Sequence, residues 1–252
     1  MIASKRFCAS ISFGKDSLCM LFMLIEKGYP LDEVVFYNTG MDFEAIYSTR
    51  DRLIPFFKER GIKFTELHPD KPFLWLMLEK PIRSRDTGLI HKYGYSWCGG
   101  PCRWGTGEKL RALKKHIGHN WDYVGIAADE THRFGKETRA NRILPLVEWG
   151  ISEAEALQYC YNKGFFWEEN GIRLYDILDR VSCWCCGNKN LKELFNIYRY
   201  LPTYWQQLKE LQSKTNRPYR RQSGKSLFDL EEEFYRKSIK EDSMIKKSAI
   251  FV

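Results

Sequence analysis

The sequence contains no apolar run that approaches the roughly 18 residues required to cross a membrane, and no secretory leader precedes its first strand-like segment. It also contains no internal repeat and no low-complexity tract. These absences favour a cytoplasmic globular protein without membrane contact over a secreted, membrane-spanning or repeat protein. Hydrophobic residues make up 44% of the 252 residues and aromatic residues 15%, which is sufficient for a substantial core and argues against disorder.

Acidic residues are few relative to basic ones, most of all in the last quarter of the chain. The formal net charge is +8, and residues 187–252 contain 14 Lys or Arg against 8 Asp or Glu. A basic segment of this kind can bind nucleic acid, and it can equally be a solvated helical surface. If it binds nucleic acid, the strongest candidates for phosphate contacts are Arg217, Arg220 and Arg221.

Strand-like and helix-like apolar segments alternate along the first part of the chain. A β-α-β-α-β order of this kind predicts an α/β fold with a mostly parallel, twisted sheet and helices on both faces. The run 81–101, rich in Gly, Arg and Tyr, is predicted to form a long loop over the site. Strands are predicted at 7–12, 34–37, 63–67 and 122–127, and helices at 18–25, 44–60, 106–116 and 153–163, the last with Ser152 as its cap.

Helical periodicity dominates beyond residue 190 and is interrupted near Asn216-Arg217-Pro218. We therefore expect two regions. The first is an α/β domain over residues 1–190. The second is a basic, mainly helical C-terminal region over residues 191–252.

A polar segment joins the first strand to the first helix: Ser12-Phe13-Gly14-Lys15-Asp16-Ser17. The N–H groups at the start of a helix can bind an anion, and a glycine such as Gly14 lets the backbone approach a phosphate closely. Lys15 adds a positive charge and the two serines add hydroxyl donors, whereas Asp16 is suited to cap the helix or hold Mg²⁺. The segment predicts a phosphate-binding loop; the alternative is an ordinary capped turn between a strand and a helix.

Two acidic residues follow the predicted strand 122–127, at the edge where α/β sheets bind their ligands. Asp129 and Glu130 are candidates to hold Mg²⁺ or a ribose hydroxyl there, and the alternative is that they are plain loop acids. Arg133, Arg139 and Arg142 come next and are candidates for contacts with phosphate or with a nucleic-acid backbone.

The segment Ser12-Phe13-Gly14-Lys15-Asp16-Ser17 resembles the loop of the PP-loop ATP pyrophosphatases and, more narrowly, that of the phosphoadenosine phosphosulfate (PAPS) reductase family. Three residues depart from the family pattern: Phe13 replaces a glycine, Asn38 an aspartate and Ala127 an arginine. Later segments resemble family motifs in the same order: Asn38-Thr39-Gly40-Met41-Asp42-Phe43, Trp97-Cys98 through Lys109-Leu110, Gly125-Ile126 through Arg133, Leu144-Pro145-Leu146 through Trp149, and Arg180 through Cys186.

The resemblance implies that residues 1–190 bind ATP or a related adenine nucleotide, with Mg²⁺, and that its phosphates lie on the loop. It also implies that the adenine lies against the first strands and that Lys15 and Asp16 act in catalysis. The nucleotide-binding residues that it implies are Ser12, Phe13, Gly14, Lys15, Asp16, Ser17, Asn38, Thr39, Gly40, Gly125, Asp129, Glu130 and Arg133.

Two kinds of reaction occur among proteins that this sequence resembles. The thiol-dependent reductases use a cysteine near the C-terminus as nucleophile, and no cysteine follows Cys186 here. We therefore expect cleavage of ATP between the α and β phosphates to adenylate an acceptor, with sulfur transfer to a base of tRNA or DNA as a candidate reaction. The alternatives are a PAPS or APS (sulfonucleotide) reductase that uses an external thiol, and a non-catalytic nucleotide-binding subunit. Both a homodimer and a complex with another protein remain open.

Five of the eight cysteines fall into two groups. Cys98 with Cys102 and Cys183 with Cys186 can each chelate one metal centre, and four thiolates suit a [4Fe–4S] cluster or, as the alternative, tetrahedral Zn²⁺. Cys185 is an extra neighbour that can replace one ligand. Two readings without a metal also stay open: a redox dithiol at Cys183 and Cys186, or simply buried thiols.

Overall fold

The computed structural model describes residues 5–98, 102–103, 105–134 and 140–249. Arg139, one of the candidate phosphate contacts, lies outside these residues. The strands are β1 (Phe7–Ile11), β2 (Glu33–Tyr37), β3 (Lys63–Leu67), β4 (Pro81–Arg83), β5 (Ile90–Tyr93), β6 (Trp121–Val124), β7 (Arg142–Ile143), β8 (Glu168–Glu169) and β9 (Ile172–Arg173). The helices are α1 (Lys15–Glu26), α2 (Glu44–Glu59), α3 (Thr106–Ile117), α4 (Thr131–Phe134), α5 (Pro145–Glu148), α6 (Glu153–Asn162), α7 (Leu174–Ile177), α8 (Leu191–Tyr200), α9 (Pro202–Ser213) and α10 (Leu227–Ala249), and a π-helix covers Trp75–Glu79.

The chain divides into two compact units. The first unit comprises the described parts of Met1–Asp70, Gly105–Glu168 and Val181–Cys183, and the second unit those of Lys71–Trp104, Glu169–Arg180 and Trp184–Val252. Each unit is a group of residues in contact, which does not show that it folds independently. The predicted domains, 1–190 and 191–252, therefore stay a prediction.

The first unit is built on a five-stranded sheet with the order β3-β2-β1-β6-β7. Every neighbouring pair of strands in it is parallel. β2 is entirely buried and three of the five residues of β1 are buried, because the sheet is covered by helices, as parallel sheets are. This architecture confirms the predicted α/β class with a mostly parallel sheet.

Helices cover both faces of this sheet, as the alternating side chains of β2 show. Val35 packs with Leu113 and Ile117 of α3 on one face. The neighbouring residue Val34 points to the other face, where its partner in the register, Phe64, stacks on Phe57 of α2 at 5.8 Å. Successive residues of a strand point to opposite faces, so α2 and α3 lie on opposite sides.

The second unit contains a hairpin and most of the C-terminal helices. β4 and β5 pair antiparallel within the segment 81–101, so the prediction of a continuous loop there was wrong for these strands. The hairpin is followed by Gly94, whose φ of +65° and whose approach to the Met77 backbone leave no room for a side chain. The predicted helical C-terminal region is confirmed as α8, α9 and α10, and Phe234 of α10 packs its ring on Phe195 of α8. No helix in the described part of the chain is long and apolar enough to span a membrane.

Candidate functional site

The phosphate loop predicted from the sequence is a turn between β1 and the N-terminus of α1. The helix begins at Lys15 with Gly14 as its N-cap residue, and no side chain of the described residues caps it. The first N–H groups of a helix have no partner within the helix, and the helix dipole is positive at this end. The geometry therefore suits an anion such as a phosphate.

The two serines of the loop are bonded to each other. The hydroxyl oxygens of Ser12 and Ser17 lie 3.1 Å apart, and Ser17 Oγ donates to the Gly14 carbonyl at 3.1 Å. Ser17 Oγ also accepts from the Ser12 N–H at 3.1 Å. These bonds close the turn, so in this conformation the hydroxyls shape the loop.

Phe13 occupies the loop position where the resembling family has glycine, and its backbone takes the conformation that glycine favours. Its φ is +56°, in the left-handed region that a bulky residue rarely adopts. The side chain is fully buried and packs edge-on against Phe36 at 5.0 Å, while Trp167 Nε1 donates to the Phe13 carbonyl at 2.8 Å. Of the predicted nucleotide contacts, Phe13 can therefore contribute only through its backbone.

Gly125, another predicted site residue, lies directly against the backbone of the loop. A side-chain carbon at this position would lie 2.7 Å from the Ser17 Cα and 3.0 Å from the Asp16 carbonyl carbon. Real contacts of this kind are never so short, and the atoms in the way belong to the backbone. Gly125 is required because the chain after β6 passes directly against the first turn of α1.

Two carboxylates contact the lysine of the loop, and a third lies close to these two carboxylates. Lys15 Nζ lies 2.7 Å from Asp16 Oδ1 and 3.5 Å from Glu153 Oε2. One oxygen each of Asp16, Glu130 and Glu153 can be chosen so that all lie within 4.8 Å of one another, and no other three Cys, His, Asp or Glu side chains of the described residues do so. The structure thus brings together three of the predicted site residues, Lys15, Asp16 and Glu130, and it adds Glu153, which the sequence analysis missed.

The charges in this cluster influence one another. Burial raises the pKa of the Asp16 carboxyl, the Lys15 ammonium opposes that shift, and the carboxylates of Glu153 and Glu130 add to it. A divalent cation among the three carboxylates would reverse the effect of the two neighbouring acids. The donor set consists of oxygen atoms only, which is the type of ligand that Mg²⁺ takes.

Asp129 and Arg133 flank the cluster. Asp129 Oδ1 accepts the backbone N–H of Glu153 at 3.0 Å and so fixes the start of α6. Both oxygens of Glu130 accept from Arg133 Nη1, at 2.7 and 2.6 Å. Arg133, a predicted phosphate contact, is therefore held beside the carboxylates by Glu130.

The turn after β2 contains the other predicted contacts, Asn38, Thr39 and Gly40. Asn38 Oδ1 accepts from the Gly40 N–H at 2.8 Å, and its amide donates to Glu66 at 2.7 Å. Gly40 has a φ of +73°. The Asn38 side chain holds this turn in shape through bonds to protein groups.

A half-buried set of polar side chains extends from this turn to Cys183. Thr39 Oγ1 donates to Asp42 Oδ2 at 2.9 Å, and Cys183 Sγ donates to Asp42 Oδ1 at 3.6 Å. Burial raises the pKa of Asp42, while hydrogen bonding by Thr39 and the charge of Lys109 lower it. Burial also lowers the pKa of Lys109, although the nearby Asp42 opposes this. Asp42 and Lys109 lie in segments that resemble family motifs, but neither was predicted as a site residue.

The remaining thiols of the two cysteine groups lie in the second unit. A side chain on Gly187 would lie 2.9 Å from the Cys98 carbonyl oxygen, so the chain segments that carry Cys98 and Cys186 are in direct contact. The Tyr219 hydroxyl donates to the Cys186 carbonyl. Because Cys183 belongs to the first unit, the predicted convergence of Cys98, Cys102, Cys183 and Cys186 stays a prediction.

A parallel α/β sheet with a turn into a helix after its first strand is an architecture found in many nucleotide-binding proteins. Residues 6–74 match the family model of the phosphoadenosine phosphosulfate reductase domain. The resemblance to this family is thereby confirmed over these residues. The chain is also 27% identical over 239 residues to the uncharacterized protein MJ0066 of Methanocaldococcus jannaschii, an alignment that covers 84% of this chain. The chain spans 43% of the length of that relative.

Proposed function

We propose that the protein is an ATP-dependent enzyme of the PP-loop type, which cleaves ATP between the α and β phosphates and adenylates an acceptor. The observation that carries the proposal is the uncapped N-terminus of α1 with Lys15 beside the three carboxylates of Asp16, Glu130 and Glu153. A cation and an oxygen-donor cluster at one anion-binding turn suit the triphosphate of a nucleotide and its metal ion. The candidate acceptor is a base of tRNA or DNA, with sulfur transfer as the second step.

Lys15 has the most direct role in this proposal. Its ammonium is buried and bonded to Asp16, so it is positioned at the turn before any nucleotide binds. A phosphate oxygen at the turn would take the place of a carboxylate oxygen as its partner. Such a charge-assisted hydrogen bond contributes about 1.5–3 kcal/mol.

Asp16, Glu130 and Glu153 are the residues that would hold Mg²⁺. When bound there, Mg²⁺ would neutralise charge on the phosphate oxygens. The same carboxylates keep Lys15 in place when no metal is bound, through the contacts with Asp16 and Glu153. The thiolate donors of Cys98, Cys102, Cys183 and Cys186 fit a [4Fe–4S] cluster or Zn²⁺ by their chemistry, and we propose one of these as a second cofactor.

The test is release of pyrophosphate from ATP in the presence of Mg²⁺ and candidate nucleic-acid acceptors. We expect Lys15→Ala and Glu153→Gln to weaken ATP binding in calorimetry at least tenfold, which corresponds to the loss of about 1.4 kcal/mol. Lys58→Ala, an exposed lysine of α2, is the matched control. Unchanged affinity and unchanged turnover in both variants would disprove the assignment of the turn.

A sulfonucleotide reductase is the second candidate, favoured by the thiol of Cys183 beside the turn that follows β2. Reduction of the sulfate group to sulfite takes two electrons, which two thiols supply when they are oxidised to a disulfide, so at least one external thiol would be required beside Cys183. Formation of sulfite from PAPS, without release of pyrophosphate from ATP, would support this candidate. Binding of ATP with no reaction on any acceptor would favour a non-catalytic nucleotide-binding subunit.

A further inference from the structure

A row of three adjoining cavities lies entirely within the second unit. The first has a volume of about 490 Å³, and its wall contains Lys92, Tyr95, Arg103, Arg217 and Arg221. The second, of about 660 Å³, shares Lys92 and Arg103 with the first. The third, of about 690 Å³, shares Arg221 with it. Because neighbouring cavities share these side chains, the three lie next to one another, and we call this set of cavities the basic groove.

The cations of the central cavity are not neutralised by nearby acids. Among the described residues, no carboxylate oxygen lies within 4.0 Å of Lys92, Arg103, Arg217 or Arg221, in contrast to Arg50, which pairs with two acids. None of the described residues that line the central cavity is acidic. Four positive charges around one cavity, with no carboxylate partner among the described residues, produce a potential that attracts polyanions.

Two walls of the central cavity are joined by specific contacts, which hold the two chain segments together. One wall is the chain that follows β5, and the other is the loop between α9 and α10. Trp97 Nε1 donates to Gln212 Oε1 at 3.1 Å, and the Trp97 ring packs on Tyr219 at 4.8 Å. Arg217 Nη1 donates to the Tyr95 carbonyl at 3.4 Å. These contacts pre-organise the groove and reduce the entropy lost on binding.

From these observations we propose that the basic groove binds the phosphodiester backbone of a single-stranded nucleic acid. The length of the groove, over three cavities, suits a chain of phosphates, whereas one phosphate group would fill only part of it. The half-buried ring of Tyr95 lies in the central cavity with the Arg103 guanidinium 5.7 Å from its centre, and an aromatic ring of this kind stacks on an unpaired base. The proposal rests on the proposed function, because it names the class of acceptor.

The experiment measures binding of the full chain to fluorescent 20-nucleotide single strands of RNA and of DNA, without ATP, across a series of salt concentrations. We expect the double variant Lys92→Ala/Arg221→Ala to bind at least tenfold more weakly near 0.1 M salt, and to reduce the slope of log K against log salt by about 1.4, because each lost phosphate contact removes roughly 0.7 for single strands. Tyr95→Leu should weaken binding about fivefold through lost stacking. The matched control is Lys58→Ala/Lys115→Ala, which removes the same charge from exposed helix positions outside the groove.

Each possible outcome decides the proposal. Equal effects of the two double variants would reject the groove, and equal or tighter binding of a duplex would reject the preference for single strands. Binding of polyglutamate as tight as that of the oligonucleotides would show a general polyanion surface instead. Competition by millimolar inorganic phosphate alone would indicate a small-anion pocket.

The measurements with RNA and with DNA distinguish the two sources of phosphodiester. Because ATP is absent, Lys15→Ala should bind oligonucleotides normally, so failure of the ATP assignment and failure of the groove are separate results.

Discussion

The Cys183 thiol donates a hydrogen bond of 3.6 Å to Oδ1 of Asp42, next to the turn that follows β2. Thr39 lies 3.6 Å from the same sulfur atom. A backbone bridge between Asp42 and Cys183 holds the two chain segments together. This contact holds Cys183 at the turn that contains the predicted nucleotide contacts Asn38, Thr39 and Gly40.

Metal analysis of cysteine variants tests the part that Cys183 plays. We expect protein purified without oxygen to contain a [4Fe–4S] cluster or about one Zn²⁺ per chain, and we expect Cys183→Ser and Cys98→Ser each to lose most of it. Cys19→Ser, which replaces a buried thiol of α1, should keep the full metal content. Loss in Cys98→Ser with full retention in Cys183→Ser would show that Cys185 takes the place of Cys183. Absence of iron and zinc from the wild-type protein would reject the metal centre.

At position 13 the glycine variant should be more stable than the alanine variant, which is the reverse of the usual order. Phe13→Ala removes a buried ring from the contact with Phe36, and we expect it to lower the free energy of unfolding by about 3–5 kcal/mol. Phe13→Gly loses the same ring but relieves the positive φ, so it should be about 1 kcal/mol more stable than Phe13→Ala. Urea denaturation measures both.

Phe36 provides the control for this comparison. It lies in the middle of β2, where the backbone is extended and glycine has no advantage. Phe36→Gly should therefore be less stable than Phe36→Ala, by about 0.5–1 kcal/mol. The same order at both positions would contradict the left-handed conformation of Phe13.

Gly125→Ala should impair the nucleotide site more than it impairs the fold. The added methyl group meets the backbone of Ser17, so the start of α1 must move before the group can fit. We expect at least tenfold weaker ATP binding in calorimetry, because the N–H groups of the turn lose their alignment. Gly150→Ala, in open space with a φ of +68°, should destabilise the chain by about 1 kcal/mol and leave the ATP affinity unchanged.

Glu33 should make the stability of the first unit sensitive to acid. Burial alone would raise the pKa of this carboxylate, but hydrogen bonds from Thr65, His116 and Lys63 outweigh it and lower the pKa to about 2. A carboxylate whose pKa is lower in the folded state stabilises the fold above its unfolded pKa, near 4.3. That contribution is lost as the pH falls from about 4.3 to about 2.

Thermal unfolding at several pH values checks the Glu33 prediction. The wild-type melting temperature should fall more steeply over this acid range than that of Glu33→Gln, which has no carboxylate to protonate. Glu59→Gln, on the exposed end of α2, serves as the control and should follow the wild-type curve. Parallel curves for the wild type and Glu33→Gln would contradict the assignment.

The sheet and the turn between β1 and α1 could be predicted from the sequence because their signals are local. A buried strand, Gly14-Lys15 and an apolar helix follow one another directly, and strands 7–12, 34–37 and 63–67 have the β-branched and aromatic composition of a core sheet. Glu153 was missed because it reads as an ordinary first-turn acid of a helix, and only the folded chain brings it 3.5 Å from Lys15. The strands β4 and β5 have three and four residues, too few for a periodic pattern. The burial of the Phe13 side chain could not be predicted from the sequence either, because it depends on the positive φ of this residue.

The position of β1 in the sheet has a consequence during synthesis on the ribosome. β1 pairs with β2 on one side, early in the chain, but its other neighbour is β6, with Phe7 opposite Trp121. At roughly 5–20 residues per second, the nascent chain exposes the second edge of β1 for several seconds or longer before β6 emerges. An unpaired edge of a buried strand is a site for association with other chains. Slower translation between β3 and β6 would therefore lower the yield of folded protein by aggregation, without any change in the stability of the finished fold.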